Sequence, residues 1–370
     1  MLQAGGVSVI TLCAAIALSA GVAGAQKPDK KTEQKADQAL LAQQRTQQAL
    51  VRVVDAAMAG QPVPVDFPIQ FQNDFLKAQG TAVWVPFTLT MDPAKISGPA
   101  AIYFRVAPHG MTMPAAPEKN EKKERAREKR GDQRQRLVAE EGPSYPYQQI
   151  ELLDLKPAGP GQPVRVVRGM ALQPGNYDVY VAVRERPTGG PPATASSEAG
   201  AKTAVLKQSL DVPDYSNGEF STSTVILANR VQHLDAPVPA SEQAERPYSF
   251  GQTEIIVSPD HRFRKSQELV ALLQIYNPTL SIDKSFNLEA TYTFFQEAPA
   301  GEKRFNATEP QELTPADAMT ASDPAKASIQ RAQAIPLESF PEGSYRLEIK
   351  VTDKLSSKVV TQSATFSVTP

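Results

Sequence analysis

The chain has 370 residues, with 39 Lys and Arg against 40 Asp and Glu and a formal net charge of −1, so no overall charge draws it toward nucleic acid or an anionic surface. One cysteine, three histidines and one tryptophan argue against a disulfide framework, a histidine-rich metal site and a flat aromatic platform for sugars. The length accommodates two or three domains, each with its own core.

Residues 1–25 carry no charged side chain, and their apolar run Val7 to Ala23 ends in Ala23-Gly24-Ala25, a small-x-small site for a signal peptidase. Cleavage after Ala25 is expected to export the chain and remove Cys13, its only thiol. An uncleaved membrane anchor is the alternative, because only the amino terminus supplies positive charge before the apolar run. No further membrane span is expected after cleavage, and stability must then come from ordinary hydrophobic cores.

Residues 26–65 form the next segment. Lys27 to Ala59 is rich in Gln, Ala and Lys and free of Gly, with Gly60 and Pro62 beyond it, which predicts a helix with a defined stop. Ala36, Leu40, Leu50, Val51, Val54, Ala57 and Met58 keep three-and-four spacing, but Gln43 and Gln47 interrupt the stripe. Only the second half is expected to dock, on the first β domain; a coiled-coil partner is the other reading.

A first β domain is expected over 66–213. Its strands are predicted at Ile69 to Gln72, Thr81 to Leu89, Ala101 to Val106, Gln148 to Leu155, Val164 to Met170, Tyr177 to Arg184 and Ala204 to Val212, each bounded by Pro, Gly or Asp. In the second of these, Val83, Val85, Phe87 and Leu89 take the core face, so Trp84 points the other way. The helix, through Leu50, Val54 or Met58, is expected to cover that indole. A charged helical insertion falls at 115–142, where Glu118 with Lys122 and Glu121 with Arg125 stand four apart in the favourable order. Acidic residues nearly balance the basic ones there and no aromatic residue interleaves, so nucleic acid is not an expected partner.

Leu172-Gln173-Pro174-Gly175-Asn176-Tyr177 opens an alternating strand, and the same sentence recurs as Phe340-Pro341-Glu342-Gly343-Ser344-Tyr345. In immunoglobulin-type sandwiches a Tyr near the start of the penultimate strand turns its hydroxyl back to the preceding backbone. Gly175 and Gly343 would supply the backbone such a corner needs, with Tyr177 and Tyr345 as the corner side chains. Two copies of one closing hairpin imply a mostly β chain of two tandem immunoglobulin-like β-sandwich domains.

Residues 214–221 read as the linker. Asp211, Asp214, Asn217 and Glu219 could hold calcium, but their spacing matches no calcium loop, and local turns are the preferred reading. The second domain, 222–370, has strands predicted at Thr222 to Ala228, Thr253 to Ser258, Leu269 to Tyr276, Phe286 to Gln296 and Ser328 to Ala334, followed by the closing hairpin. In Leu269 to Tyr276 both faces are apolar, which a one-sided sheet does not need. If that strand pairs with Phe286 to Gln296 as a hairpin, Val270, Leu272, Tyr276 and Phe295 form an outer patch for an unidentified envelope protein. Cover from within the chain is the equal alternative.

Tyr215-Ser216, then Ser223-Thr224-Val225-Ile226-Leu227-Ala228, Tyr248-Ser249-Phe250-Gly251, Tyr276-Asn277 and the closing Pro341-x-Gly343-x-Tyr345 run with Asp353 together resemble the C-terminal β-sandwich regions of exported bacterial proteins of the GWxTD and von Willebrand A-associated kind. The resemblance covers roughly Leu172 onward and implies an extracytoplasmic accessory protein, without a chemistry. The GWxTD signature is absent, and so is the Asp-x-Ser-x-Ser motif of metal-dependent adhesion.

No His-Glu-x-x-His, Gly-x-Ser-x-Gly or phosphate-cradling glycine loop is present. Ser258-Pro259-Asp260-His261 brings three triad-like residue types into one turn, where they rarely converge as nucleophile, base and orienter. The sequence therefore assigns no catalytic residue, metal or cofactor. It points to an exported non-catalytic interaction or structural protein of the periplasm or cell surface, with a carbohydrate-binding module or a hydrolase as alternatives.

Overall fold

A computed structural model describes residues 30–112, 143–186, 200–299, 301–314 and 328–370. The expected signal peptide at 1–25 and the charged insertion at 115–142 lie outside the described residues. What is described is mostly β. The order begins α1 (Lys30–Met58), β1 (Ile69–Asn73), β2 (Leu76–Lys77), β3 (Val83–Met91), β4 (Gly98–Pro108), β5 (Tyr147–Leu155), β6 (Val164–Leu172), β7 (Gly175–Glu185) and β8 (Thr203–Val212). It continues β9 (Ser221–Thr222), β10 (Ile226–His233), β11 (Ser249–Phe250), β12 (Thr253–Val257), β13 (Arg262–Arg264), β14 (Glu268–Tyr276), β15 (Leu288–Ala298), β16 (Gly301–Ala307), β17 (Gln311–Leu313), β18 (Ile329–Pro336), β19 (Gly343–Asp353) and β20 (Lys358–Thr369). No described helix is long and apolar enough to cross a membrane.

Two compact units result, and they do not follow linear order. The first takes the chain to Ile69, Met91–Val164 and Tyr177–Leu210; the second takes Gln70–Thr90, Arg165–Asn176 and Asp211–Pro370. Against the expectation of one linear boundary near 213, two segments from the first half of the chain thus cluster with the second unit.

In the first unit a four-stranded sheet, ordered β5-β4-β7-β8, carries α1 on one face. The helix stops where Gly60, at φ 71°, takes the left-handed conformation. Gln61 N then donates to Ala56 O and Gly60 N to Ala57 O, the paired bonds that satisfy the last helical carbonyls. As the spacing predicts, the second half docks: Leu50, Val54 and Met58 pack against Ala101, Tyr103, Ala107, Tyr180 and Ala182. A half-buried ion pair fastens it, since Arg105 Nη1 meets Asp55 Oδ1 at 2.5 Å while Arg105 Nε donates to the Tyr103 hydroxyl at 2.8 Å. On the opposite face of β4 and β7, Ile102, Phe104, Val106, Val179, Val181 and Val183 are also buried, which is why these strands read as unbroken apolar runs.

In the second unit two six-stranded sheets face each other. One runs β11-β12-β10-β14-β18 with β9 beside β14; the other runs β13-β20-β19-β15-β16 with β17 beside β15. Leu269, Ala271, Leu273 and Ile275 from the first sheet and Tyr292, Phe294, Leu347, Ile349 and Phe366 from the second share one core. The hairpin predicted at the end of the chain is present, paired without a slip from Gly343↔Val368 to Asp353↔Lys358. The strand β16 escapes sequence reading because its Gly-Glu-Lys-Arg start is almost wholly exposed and carries no alternation.

The corner expected at Tyr345 forms. Its hydroxyl donates to Pro341 O at 2.7 Å, and Gly343 has φ 146°. Gly175, two residues before Tyr177, has φ 147°, so both copies of the motif use the same glycine-favouring backbone. Replacing Tyr345 by Phe removes one buried hydrogen bond and keeps the ring, so unfolding free energy should fall by about 1 kcal/mol. Urea denaturation with an unchanged m-value measures this.

Trp84 departs from expectation. Leu50, Val54 and Met58 are spent on the first unit's sheet, and Trp84 belongs to the second unit, packed with Leu76, Val167, Tyr248, Ile255 and Leu272. Its Nε1 donates to Pro247 O at 2.8 Å. The sequence shows which way the indole points but not what covers it, because the cover is assembled from separate stretches around Leu76, Val167 and Pro247 to Ile255.

Candidate functional site

The four residues proposed as an outer patch do not come together. β14 does not pair with β15: its neighbours are β10, β18 and β9, and β15 lies in the facing sheet. Val270, Leu272 and Tyr276 are buried on the second face of β14. There Val270 and Leu272 meet Leu76, Trp84 and Val167, which are contributed by Gln70–Thr90 and Arg165–Asn176. The doubly apolar strand is therefore a central strand covered on both sides from within the chain. Phe295 stands elsewhere, half-buried, with the Arg346 guanidinium 4.3 Å from its ring centre. Leu272→Ser should then lower stability by about 3 kcal/mol, the scale of emptying a filled core site. Phe295→Ser should cost less than half of that, and thermal melts of the two variants separate them.

Around that covered face the second unit gathers a connected group of polar side chains. Asp74 Oδ2 accepts the Tyr248 hydroxyl at 2.7 Å, and Oδ1 accepts the Thr224 hydroxyl at 2.9 Å. Thr224 Oγ1 accepts Phe75 N at 3.0 Å, and Thr224 N donates to Phe75 O at 3.3 Å. Lys77 N donates to the Tyr276 hydroxyl oxygen at 2.9 Å, and that hydroxyl donates on to Gln274 Oε1 at 2.8 Å. The Tyr215 and Tyr276 rings lie 4.6 Å apart. Burial raises the Asp74 carboxyl above the ordinary range against the opposing bonds from Tyr248 and Thr224. Burial also raises the phenols of Tyr215, Tyr248 and Tyr276, so they remain neutral donors at any physiological pH. The arrangement ties residues 74–77 to Thr224, to Tyr248 and to Tyr276 of β14. Beside it, a crevice lined by Leu76, Ser223, Ile226, Phe250, Leu272 and Gln274 encloses about 10 Å³, room for a single water.

The first unit holds a second cluster that sequence reading missed. The Asp178 carboxylate is buried; its Oδ1 faces His109 Nδ1 at 3.0 Å and accepts Ser209 Oγ at 3.3 Å. Its Oδ2 accepts Gly110 N at 3.2 Å and lies 3.2 Å from Lys207 Nζ. Serine, histidine and aspartate converge here, but the carboxylate stands in the middle. A nucleophilic triad needs the histidine between the other two, so this is a carboxylate shell. The signal was slight: Asp178 is a single carboxylate directly before the apolar run Val179 to Val183.

The remaining sequence candidates are turns. His261 N donates to Ser258 O at 3.0 Å, His261 Nδ1 lies 2.9 Å from Thr365 O, and Asp260 pairs with Arg165 at 3.1 Å. Asp214 accepts Ser216 N and Oγ at 2.8 and 2.7 Å, and Asn217 Oδ1 accepts Glu219 N at 2.8 Å, local bonds of the kind that stabilise turns. Ser216 holds the Asp214 carboxyl below the usual range. No group of three or more metal-binding side chains occurs among the described residues.

No family model and no curated protein matches the chain. Among solved structures, it is similar to red sea bream transglutaminase at 10% identity, with a TM-score of 0.20 over 85% of this chain and 33% of that one. It is similar to a calcium-binding mutant of Bacteroides uniformis β-glucuronidase 2 at 9% identity, with a TM-score of 0.23 over 81% and 32%. The chain spans about a third of the length of either, and at these scores the likeness carries no argument about what it does.

Proposed function

We propose that the protein is an exported, non-catalytic interaction or structural protein of the bacterial periplasm or cell surface. The observation that supports this is how its buried charges are used. Arg105, Asp178 and Asp353 are the charged residues with the least exposed surface among the described residues, and each is committed to fastening one element to another, as the enclosed Asp74 is through Tyr248 and Thr224. Arg105 holds α1 to its sheet through Asp55. Asp178 gathers Gly110, Lys207 and Ser209. Asp353 accepts Thr279 N at 2.8 Å and Leu355 N at 3.0 Å, tying a loop to the closing hairpin. Enzymes keep buried charges in a cleft facing substrate; here they serve rigidity. The resemblance to exported sandwich regions and the Ala23-Gly24-Ala25 site add the compartment.

The test is expression of the full chain in a Gram-negative host, followed by fractionation and amino-terminal sequencing. A chain beginning at Gln26 in the periplasm or medium supports the reading. An unprocessed chain in the cytoplasm overturns it, and retention on immobilised polysaccharides would favour the carbohydrate-binding alternative.

A further inference from the structure

Six large hydrophobic residues are exposed among the described residues, and three of them, Ile282, Leu355 and Val359, lie in or beside two loops at one end of the second unit. Hydrogen bonds bring those loops together. Asp353 Oδ2 accepts Thr279 N at 2.8 Å and Lys354 N donates to Asn287 O at 2.9 Å, so the loop 277–287 is bound to the turn between β19 and β20.

Both loops are rigid where they carry the apolar residue. In the first, Ser281 N donates to Ser285 O at 2.8 Å, Lys284 N to Ser281 O at 3.0 Å, and the two serine hydroxyls meet at 2.8 Å. Lys284 is held at φ 59°. Of the loop's two aliphatic side chains, Leu280 packs on the sandwich core while Ile282 is wholly exposed. In the second, Asp353 accepts Leu355 N at 3.0 Å and the Ser356 hydroxyl at 2.8 Å, and Ser357 has φ 61°. Ile282 thus adds nothing to the core and is held in water at the point of a pinned turn.

The surrounding charge narrows the occupant. Lys284 and Lys358 are exposed beside the aliphatic residues, with Asp283 the one exposed acid in the two turns; Lys354 is drawn back to Glu289 at 2.8 Å and Glu312 at 3.2 Å. Separate aliphatic points interleaved with lysines match a lipid interface, where each side chain dissolves singly and the cations meet anionic headgroups. We infer that this end of the second unit is a docking tip for an anionic phospholipid surface, with Ile282 and Leu355 entering the interface and Lys284 and Lys358 at headgroup level. The contact is peripheral and does not depend on the compartment proposed above.

Flotation with vesicles tests it, using the chain from Gln26 onward, which retains every described residue. The chain should float with phosphatidylglycerol-rich vesicles, less with pure phosphatidylcholine, and less as salt rises. Ile282→Asp with Leu355→Asp should reduce flotation about tenfold at an unchanged melting temperature, since neither side chain is in the core. Lys284→Glu with Lys358→Glu should abolish the preference for the anionic lipid. A parent chain that stays at the bottom of the gradient, or an aspartate variant that floats as well as the parent, overturns the inference. Because the vesicles are supplied in vitro, such a failure leaves the question of export untouched.

Discussion

Gly169→Ala should be strongly destabilising, although it adds only a single methyl carbon. A Cβ placed at Gly169 would stand 2.3 Å from Trp84 Cζ2 and 2.8 Å from Pro247 Cβ, far inside van der Waals contact. Neither neighbour is free to give way. The indole is held by Nε1 donating to Pro247 O at 2.8 Å, and the segment carrying Pro247 is held by Gly169 N donating to Ala244 O at 2.8 Å. Moving the ring therefore breaks one bond and moving the backbone breaks the other. We expect a loss of about 3 kcal/mol or more, at or beyond the usual cost of overpacking. Trp84 is the only tryptophan, so its emission reports this site without interference and should shift to the red as the ring is displaced. Trp84→Leu in the Gly169→Ala background should recover part of the loss, giving a non-additive cycle; strict additivity would mean that the two residues do not meet in solution.

That contact marks where the sequence stops being informative. Alternation in Tyr345, Leu347, Ile349 and Val351 was readable because a strand with one buried face imposes a period of two on its own residues. The corner at Tyr345 was readable for a similar reason: Pro341, Gly343 and Tyr345 lie within five residues and their bonds close locally. What covers a strand's second face is decided by another part of the chain. Val270 and Leu272 announced that a second face of β14 was apolar, but an exposed patch and a buried one have the same pattern. Only the placement of Leu76, Trp84 and Val167 against them distinguishes the two. β2 is two residues long, too short for any periodicity, and yet it supplies Leu76. Likewise Asp74 stands at the end of an ordinary strand, and nothing nearby foretells Tyr248, 174 positions later.

Asp178 and Asp74 should respond to pH with opposite signs. Burial alone pushes the Asp178 carboxyl up, but the Gly110 amide, Lys207 and His109 together outweigh it and hold it below the ordinary range. A depressed carboxyl contributes stability that is complete above its unfolded value of about 4 and is lost as pH falls through the folded value. Asp178→Asn leaves Lys207 and the Gly110 amide facing an uncharged and partly donating group, and should cost about 2–3 kcal/mol near neutrality. That difference from the parent should shrink steadily below about pH 4, where the parent's carboxylate is itself being protonated. At Asp74 burial prevails over the bonds from Tyr248 and Thr224 and over the nearby His261 charge, so the folded carboxyl is raised. Its contribution is complete below about pH 4 and is lost as pH rises through the folded value. Asp74→Asn keeps an acceptor for the Tyr248 hydroxyl while removing the buried charge, so its stability relative to the parent should improve between about pH 4 and neutrality and match the parent in acid. Denaturation midpoints of the parent and both variants, taken across about pH 3 to 8, read the two slopes together. Slopes of the same sign in the two variants would mean that at least one of these carboxylates is not enclosed as its contacts require.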